Sequence, residues 1–419
     1  MNIKFFSILL ILFLGSSCAS NSKEVKPVVE SKVLETYDQV IDLMNKHYFD
    51  ANYGGLNWPE ETQKTRELLL SANDDSERYG HIKSLFSNLK HSHLVFQPAT
   101  SKEEKKSIPY GSPKNIDFDA EIVENAWVIT KVKSGSAAAK AGLKMGMNLV
   151  KLNDWPVDEY FSSSDLMDYY MLRNTLHYYP KNKMTLTVLD QNSEEKVISF
   201  DLKKYSGSYQ KMGLIRDPSE FEQKILPGNI GYVRFSIFLV DPVREAIEAI
   251  KELRDKKVRG MIVDLRNNPG GVGVLSSAIA KEFCSENYNL GTQTGRDMTL
   301  KFPVFAQSKP YKGKVVFLLN KNSASTSEVL AAGMQANKGI KVVGEVSAGM
   351  ALPSVMISLK DGSVFQYPIA DFKTVDNKTV EGVGVLPDVK ISHTVKSLNN
   401  NKDNYIEAAI KIINKEDSK

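Results

Sequence analysis

The chain contains three short segments whose residue types and spacing suit nucleophilic chemistry. Residues 264–271 (DLRNNPGG) follow an apolar run and end in two glycines, whose N–H groups can point at an anion. Residues 320–333 (NKNSASTSEVLAAG) place several hydroxyl side chains just before a helical pattern. Residues 380–388 (VEGVGVLPD) hold Glu381 in a loop punctuated by glycine and proline. A hydroxyl nucleophile, a carboxylate and backbone N–H donors are the parts that such chemistry uses.

Each segment also has a purely structural interpretation. The glycines of residues 264–271 can form a tight turn, and a phosphate loop is not favoured because the segment lacks a Gly-Lys-Ser/Thr ending and a GxGxxG pattern. Ser327 or Thr326 can cap the following helix, with Glu328 in its first turn. Spacing alone makes Glu381 no more than an exposed carboxylate. Taken singly, the segments leave both interpretations open.

Alternating strand and helix patterns surround these segments from about residue 228 onwards. The runs GMIVDLR, KVVFLLN and KVVGEV are typical of buried strands. The stretch VREAIEAIKELRDKK has apolar residues on one helical face, and VLSSAIAKEF and SEVLAAGMQAN also have helical patterns. Strands that alternate with helices in this way predict an α/β core.

Two further regions precede this core. Apolar residues at helical spacing in residues 31–48, 65–72 and 77–89 predict a small N-terminal helical domain. Residues 115–202 have a strand-like texture instead, with a short Ala-rich helix and an insertion at about residues 159–179. The chain therefore divides into a helical part, a β-rich part and an α/β part.

Composition restricts the class of protein. The 419 residues are 42% hydrophobic and 25% charged, which is typical of a globular chain of two or three domains and excludes a wholly disordered or collagen-like one. The net charge of +4, from 54 basic and 50 acidic residues, gives no reason to expect a nucleic-acid partner. Cys18 and Cys284 are the only cysteines, too few for a disulfide framework or a thiolate zinc cluster.

The N-terminus has the layout of a secretory signal. Lys4 precedes an apolar run from Phe5 to Leu14, and small residues follow before Cys18. The run is too short to span a bilayer as a mature helix. A plain signal peptide would make Cys18 incidental. The stretch also resembles a bacterial lipoprotein signal, which implies removal of residues 1–17, lipidation of Cys18, a tether at residues 18–30 and a lipid-anchored location in the cell envelope, facing the periplasm or on the outer membrane.

The motifs in their order resemble one peptidase family. DLRNNPGG, NSASTSE, GEVSAG and EGVGVLPD follow a segment, AAAKAGLKMGMNLVKLNDWPV, that resembles a PDZ domain. Together they resemble the tail-specific (C-terminal processing) serine peptidases over about residues 31–395. The resemblance implies a crotonase-like (ClpP/crotonase) α/β core at residues 206–415, with a PDZ-like β-domain inserted at residues 115–205. It also implies a small N-terminal helical domain at residues 31–100.

The resemblance identifies Ser325 as the nucleophile. In the main branch of the family a lysine 25 positions later is the base, but Met350 stands there, and Ser354 replaces the glutamine that follows it. A thioether is no proton acceptor at neutral pH, so a Ser–Lys dyad is absent. The tricorn-like branch instead uses a Ser-His pair and a glutamate in a Glu-x-x-Gly-Val/Ile-x-Pro-Asp motif, which Ser92-His93 and the segment beginning at Glu381 match.

The tricorn-like branch therefore implies a role for each matched residue. His93 would act as general base and acid on Ser325, because a serine hydroxyl is a weak nucleophile until a base takes its proton. Ser92 and Glu381 would orient and polarise the imidazole. The oxyanion hole would comprise the N–H group of Thr326 and one from Gly270 or Gly271.

The histidine has one competitor in the sequence. His91 lies two residues before His93, and in a strand both would lie on the same face, so spacing does not choose between them. The adjacent Ser92 favours His93. With no third ligand spaced nearby we expect no metal site at this pair, and no cofactor is expected.

The resulting functional expectation is a serine endopeptidase that cleaves peptides or unfolded or C-terminal protein segments through an acyl-enzyme. One alternative is a catalytically inactive homologue that acts as a peptide- or protein-binding lipoprotein, since the family lysine is missing. Another is a crotonase-type acyl-CoA enzyme, which the PDZ-like segment and the SASTSE turn disfavour. The PDZ-like domain would either bind an extended peptide by strand addition or serve as a structural cover.

Overall fold

The computed structural model describes residues 32–99, 113–161, 166–178, 181–205, 207, 210–212 and 215–415. The predicted signal peptide, Cys18 and the tether at residues 18–30 lie outside these residues. In the described chain no helix is long and apolar enough to cross a membrane. The α-helices are α1 (Lys32–His47), α2 (Trp58–Ser71), α3 (Asp75–Ser87), α4 (Ala137–Lys140), α5 (Val157–Tyr160), α6 (Leu166–His177), α7 (Val240–Asp255), α8 (Leu275–Lys281), α9 (Thr326–Lys338), α10 (Val395–Asn399) and α11 (Asn404–Asn414).

The strands fall into groups that follow the chain. Those of the first half are β1 (Val95–Gln97), β2 (Phe118–Val123), β3 (Ala126–Val132), β4 (Asn148–Leu152), β5 (Trp155–Pro156), β6 (Lys183–Leu189), β7 (Glu195–Asp201), β8 (Gln210–Met212), β9 (Ile215–Asp217) and β10 (Phe221–Leu226). Those of the second half are β11 (Ile230–Phe235), β12 (Gly260–Asp264), β13 (Tyr288–Thr294), β14 (Thr299–Val304), β15 (Lys314–Leu319), β16 (Lys341–Gly344), β17 (Ser354–Ser358), β18 (Val364–Pro368), β19 (Asp371–Thr374) and β20 (Val389–Lys390).

A six-stranded sheet of order β10-β11-β12-β15-β16-β20 forms the centre of the α/β part. Strand β10 is antiparallel to β11, and all the other neighbours are parallel. Alternate side chains point to opposite faces: Ile262 and Leu318 pack towards α11, whereas Val263 and Phe317 pack with the core that includes α7 and α9. Both faces are covered, as parallel sheets require. The predicted mixed α/β fold is confirmed.

This sheet gathers the sequence motifs at one edge. Parallel strands have their carboxyl ends on the same side, so the loops that follow β12, β15 and β16 emerge together. The loop after β12 contains the DLRNNPGG segment, the loop after β15 leads into α9, and the loop after β16 contains GEVSAG. Three segments that are far apart in sequence therefore become neighbours.

A second, antiparallel sheet of order β2-β3-β4-β6-β7, with β5 paired to β4, occupies the region that the sequence predicted to be β-rich. Its own apolar core contains Trp127, Leu149 and Leu186. Helix α6, which lies within the predicted insertion, adds Leu172 and Leu176 to that core. The sheet thus has its own apolar core, and in the chain it lies between the N-terminal helices and the strands of the central sheet.

The N-terminal helices pack against strands from the far end of the chain. Helices α1 to α3 share one apolar cluster with the small sheet of order β1-β18-β17. Phe365 is fully buried there, with ring centroids 5.0 Å from Phe86 and 5.2 Å from Tyr367. Helix α2 begins at Trp58, earlier than the apolar pattern indicated, with Pro59 in its first turn. The contacts attach β1, and the Ser92-His93 pair just before it, to the rest of the protein.

We expect replacement of Phe365 by alanine to lower the free energy of unfolding by about 3–5 kcal/mol, because a fully buried phenyl ring leaves a cavity. Urea unfolding followed by circular dichroism measures the change. Val197→Ala is the control, since Val197 is 66% exposed on β7, and it should cost about 1 kcal/mol at most. Equal losses for the two variants would contradict the shared core.

Candidate active site

Ser325 lies at a strained turn between β15 and α9. Its φ is 55° and its ψ is −116°, an unusual conformation for a residue with a side chain. Its N–H group donates to Oε2 of Glu328 at 2.9 Å. On the other side, a Cβ atom added to Gly270 would lie 2.7 Å from Ser325 Cβ and 2.6 Å from the Thr326 nitrogen. Only glycine therefore permits the loop after β12 to approach this closely.

The hydroxyl residues beside Ser325 do not cap the helix, so the predicted capping role of Ser327 or Thr326 is wrong. Helix α9 begins at Thr326, which places both residues inside its first turn. Thr326 Oγ1 donates to the Gly271 carbonyl at 3.0 Å, and Ser327 Oγ donates to the Asn268 carbonyl at 2.9 Å. Both hydroxyls hold the loop after β12 against the turn that carries Ser325.

The same loop distinguishes the two glycines that the sequence left as alternatives. The Gly270 N–H group donates to Asn268 Oδ1 at 3.0 Å. Gly271, at φ 145°, lines a cavity together with Ser325 and Thr326. The N–H group of Thr326 belongs to the first turn of α9, where no intrahelical acceptor exists. The candidate oxyanion donors are therefore the N–H groups of Thr326 and Gly271, and Gly270 supplies the close approach instead.

His93 lines the same cavity, although it lies far from Ser325 in the chain. Ser92 Oγ lies 2.8 Å from His93 Nδ1 and donates to Glu381 Oε2 at 2.9 Å. The Ser92 N–H group donates to the other oxygen, Oε1, at 2.8 Å. Glu381 also accepts from the N–H group of Ala351 at 2.9 Å. The structure thus connects Glu381, Ser92 and His93 in one hydrogen-bonded chain that ends at the cavity of Ser325.

This chain determines the tautomer of His93. Ser92 has a single hydroxyl hydrogen, which goes to Glu381, so its oxygen can only accept from the imidazole. Nδ1 therefore carries the hydrogen and Nε2 keeps its lone pair. Burial lowers the pKa of His93 from 6.5 to about 4, so the imidazole is neutral at pH 7. A neutral imidazole with a free Nε2 is the form that accepts a proton from a hydroxyl.

His91 has a different environment. Its Nδ1 lies 2.6 Å from the Tyr48 hydroxyl, and its ring packs edge-on against Phe49. The premise that His91 and His93 lie in one strand is wrong, because β1 begins only at Val95. Ser92 and His93 form a turn in which His93 has a φ of 61°. The turn separates the directions of the two imidazoles, which a strand would have kept on one face.

Glu328 is a functional candidate that the sequence analysis treated only as a first-turn residue. It is fully buried, and its carboxylate accepts hydrogen bonds from Ser347 Oγ and from the N–H groups of Ser325, Gly349 and Met350. Burial raises its pKa from 4.5 to about 7. One carboxylate thus joins the Ser325 turn to the loop after β16. The Ser-x-x-Glu spacing, read as a capping pattern, is the sequence signal that could have identified it.

The cavity that these residues line has a volume of about 900 Å³. Its wall is mostly apolar, and among the described lining residues the charged side chains are Lys281 and Lys301. Met350 and Ser354, which stand where the main branch of the family has lysine and glutamine, also line it. Such a cleft suits an extended apolar segment. Within the described residues, no group of three or more His, Cys, Asp or Glu side chains could hold a metal ion.

The half-buried, desolvated imidazole of His93 predicts a pH effect on stability. The pKa of His93 is about 4 in the folded state and about 6.5 in the unfolded chain. Between pH 4 and pH 6.5 the imidazole is therefore protonated mainly in the unfolded chain. Stability is then lost as the pH falls below 6.5. In His93→Gln this loss is absent, so between pH 7.5 and 5 the wild type should lose about 1–2 kcal/mol relative to the variant. Urea unfolding at both pH values measures this difference. If the free energy of unfolding changed equally with pH in the wild type and in His93→Gln, a neutral, desolvated His93 would be contradicted.

The contacts of Glu328 predict a kinetic effect. In Glu328→Gln the amide nitrogen is a donor that faces other donors, so the rate at which a fluorophosphonate labels Ser325 should fall on the order of tenfold or more. The matched control is Glu407→Gln, since Glu407 is an exposed glutamate in the first turn of α11. Mass spectrometry of the labelled peptide gives both rates. Equal rates would show that Glu328 has no part in positioning Ser325.

Comparison with known proteins shows which peptidases the chain is similar to. Residues 229–391 match the sequence model of peptidase family S41. The chain is 26% identical over 372 residues to the carboxyl-terminal-processing protease of Synechocystis sp.. This alignment covers 83% of the chain and 78% of the relative.

Two solved structures share the fold. The photosystem II D1 C-terminal processing protease aligns with a TM-score of 0.59 and 19% identity over 88% of this chain and 98% of its own. The tricorn protease aligns with a TM-score of 0.51 and 16% identity over 91% of this chain and 36% of its own. The predicted resemblance to the C-terminal processing peptidases is therefore confirmed, and the match of residues 229–391 to peptidase family S41 supports a serine peptidase.

Proposed function

We propose that this serine peptidase is an endopeptidase that works through Ser325, His93, Ser92 and Glu381 rather than through a Ser–Lys dyad. The observation that carries the proposal is the chain of hydrogen bonds from Glu381 through Ser92 to His93 Nδ1. It leaves Nε2 as a base beside the cavity that Ser325 also lines. The alternative base of the family has no counterpart, because Met350 stands at its position.

The reaction would follow the usual course of acyl transfer. His93 Nε2 takes the proton of Ser325 as Oγ attacks the carbonyl carbon, and the imidazolium is stabilised through Ser92 by the Glu381 carboxylate. The N–H groups of Thr326 and Gly271 donate hydrogen bonds to the developing oxyanion. His93 then gives its proton to the leaving amine, and a water molecule, activated by the same nitrogen, hydrolyses the acyl-enzyme.

The substrate would be a peptide or an unfolded or C-terminal protein segment. The mostly apolar lining and the volume of the cleft support an extended apolar chain as substrate. The name carboxyl-terminal-processing protease, borne by the Synechocystis relative, supports cleavage near a C-terminus. The core would belong to the crotonase-like class, which the parallel strands and covering helices support.

The antiparallel sheet of β2 to β7 would be the PDZ-like domain, and helices α1 to α3 the N-terminal domain. The short Ala-rich helix α4 between β3 and β4 supports the PDZ-like assignment. That domain would either bind a peptide by strand addition or serve as a structural cover of the core. The signal pattern before Cys18 supports a lipid-anchored protein of the bacterial cell envelope.

Variants of the two histidines and of Ser325 test the mechanism. Ser325→Ala and His93→Ala should each lower cleavage of an unfolded protein by about 10³-fold or more and abolish or greatly slow fluorophosphonate labelling of Ser325. His91→Ala is the matched control: it removes an imidazole two residues away that bonds Tyr48. That variant should retain both activities per mole of folded enzyme.

The outcomes separate the rival functions. Undiminished cleavage by purified Ser325→Ala would refute the nucleophile, and loss of labelling in His91→Ala but not in His93→Ala would assign the base to His91. A wild-type protein that is neither labelled nor active, yet binds unfolded peptides, would favour the inactive binding homologue. Peptides that shift the nuclear magnetic resonance signals of strands β2 to β7 in the Ser325→Ala chain would assign peptide binding to the PDZ-like domain.

A further inference from the structure

A buried carboxylate of the antiparallel sheet reaches into the catalytic loops. Glu121 lies on β2 and is 8% exposed. Its Oε1 accepts from Asn267 Nδ2 at 2.9 Å, and its Oε2 accepts from Asn320 Nδ2 at 3.0 Å. Thr130 Oγ1, on the neighbouring strand β3, also donates to Oε1, at 3.2 Å. The same side chain therefore touches the loop after β12 and the loop after β15.

These two asparagines are the points at which the catalytic loops join each other. The Asn267 N–H group donates to Asn320 Oδ1 at 2.9 Å, and Asn320 Nδ2 donates to Asn267 Oδ1 at 2.7 Å. Asn267 precedes Gly271 by four residues, and Asn320 precedes Ser325 by five. A contact that fixes both asparagines therefore fixes the spacing between the oxyanion donor Gly271 and the nucleophile.

The backbone of Asn267 is itself strained. Its φ is 61°, and its carbonyl accepts from the Tyr170 hydroxyl of α6 at 2.9 Å. Asparagine tolerates this region better than most residues, but the conformation still needs surrounding contacts to hold it. Two of the contacts, Glu121 and Tyr170, come from the unit formed by the antiparallel sheet and α6.

Burial of Glu121 costs free energy, because the donors that reach it are neutral amides and a hydroxyl. An apolar contact between the two units would avoid that cost. What a carboxylate provides is two acceptor oxygens in a fixed geometry, each directed at a different catalytic loop. This suits a positioning role better than a purely adhesive one.

We propose that Glu121 is a positioning residue of the peptidase, through which the antiparallel sheet sets the geometry of the Gly271 oxyanion donor relative to Ser325. The inference rests on the proposed function. It makes the rate of acylation depend on how the sheet is seated against the core. Binding of the substrate in the cleft does not pass through Glu121, so KM should respond little.

Exchange of the donor and the acceptor gives a sharp test. In Glu121→Gln an amide nitrogen must face a donor on Asn267 or Asn320, so kcat and the rate of fluorophosphonate labelling should fall about 10- to 100-fold, with KM changed by less than about twofold. The double variant Glu121→Gln/Asn267→Asp restores the pairing, because the new amide donates to the new carboxylate. It should recover kcat to within about threefold of wild type.

The matched control is Glu124→Gln, an identical chemical change at an exposed position in the turn after β2. It should leave kcat, KM and labelling unchanged. Thermal unfolding is recorded for every variant, so that a loss of fold is distinguished from a loss of rate. If Glu121→Gln does not fold, the double variant decides alone: a folded double variant with kcat more than about tenfold below wild type overturns the proposal.

The remaining outcomes are also decisive. Wild-type kcat in Glu121→Gln overturns the proposal, and so does a loss that follows thermal stability and is not recovered in the double variant. A wild-type protein that neither cleaves peptides nor becomes labelled at Ser325 refutes the proposed function, and this inference with it. A lower kcat at unchanged KM, recovered in the double variant, supports it.

Discussion

The hydrogen bond from Ser92 Oγ to Glu381 Oε2 determines what His93 can do. Because that bond uses the only hydroxyl hydrogen of Ser92, the imidazole must donate from Nδ1 and present a lone pair on Nε2. Burial then keeps the ring neutral by lowering its pKa. The position of Glu381 depends in turn on the loop after β16, whose Ala351 N–H group also binds it. The bond thus connects the Ser92-His93 turn to the loop after β16 and sets the protonation of the imidazole.

Three carboxylates, of which Glu121 and Glu328 are buried and Glu381 is half-buried, hold the catalytic loops in place. Glu381 joins the Ser92-His93 turn to the loop after β16, Glu328 joins that loop to the Ser325 turn, and Glu121 joins both catalytic loops to the antiparallel sheet. Each accepts two or more N–H or O–H donors, which offsets part of its desolvation. Loops without regular pairing gain a defined geometry in this way. The strained φ angles of His93, Asn267 and Ser325 persist under these constraints.

Part of this arrangement could be predicted from local patterns, since the alternation of strands and helices indicated the α/β core. Ser325, Ser92-His93 and Glu381 were identified as one set only through the resemblance to a peptidase family. The sheet of β1, β18 and β17 was missed because Val95 pairs with Gln366, far away in the chain. Glu121 was missed for the same reason, since it lies 146 residues from Asn267. The assumption that His91 and His93 share a strand was also wrong, because a turn determines the direction of the His93 side chain.

Nuclear magnetic resonance of the histidine side chains, with ¹⁵N labelling, observes the protonation of His93 directly. At pH 7 we expect a neutral His93 that is protonated on Nδ1 and unprotonated on Nε2, and that changes its tautomer balance in Ser92→Ala. Assignment by comparison with His93→Gln identifies the signal. A His93 that is protonated on Nε2, or that is an imidazolium at pH 7, would contradict its role as the base, since in neither form can Nε2 take the proton of Ser325.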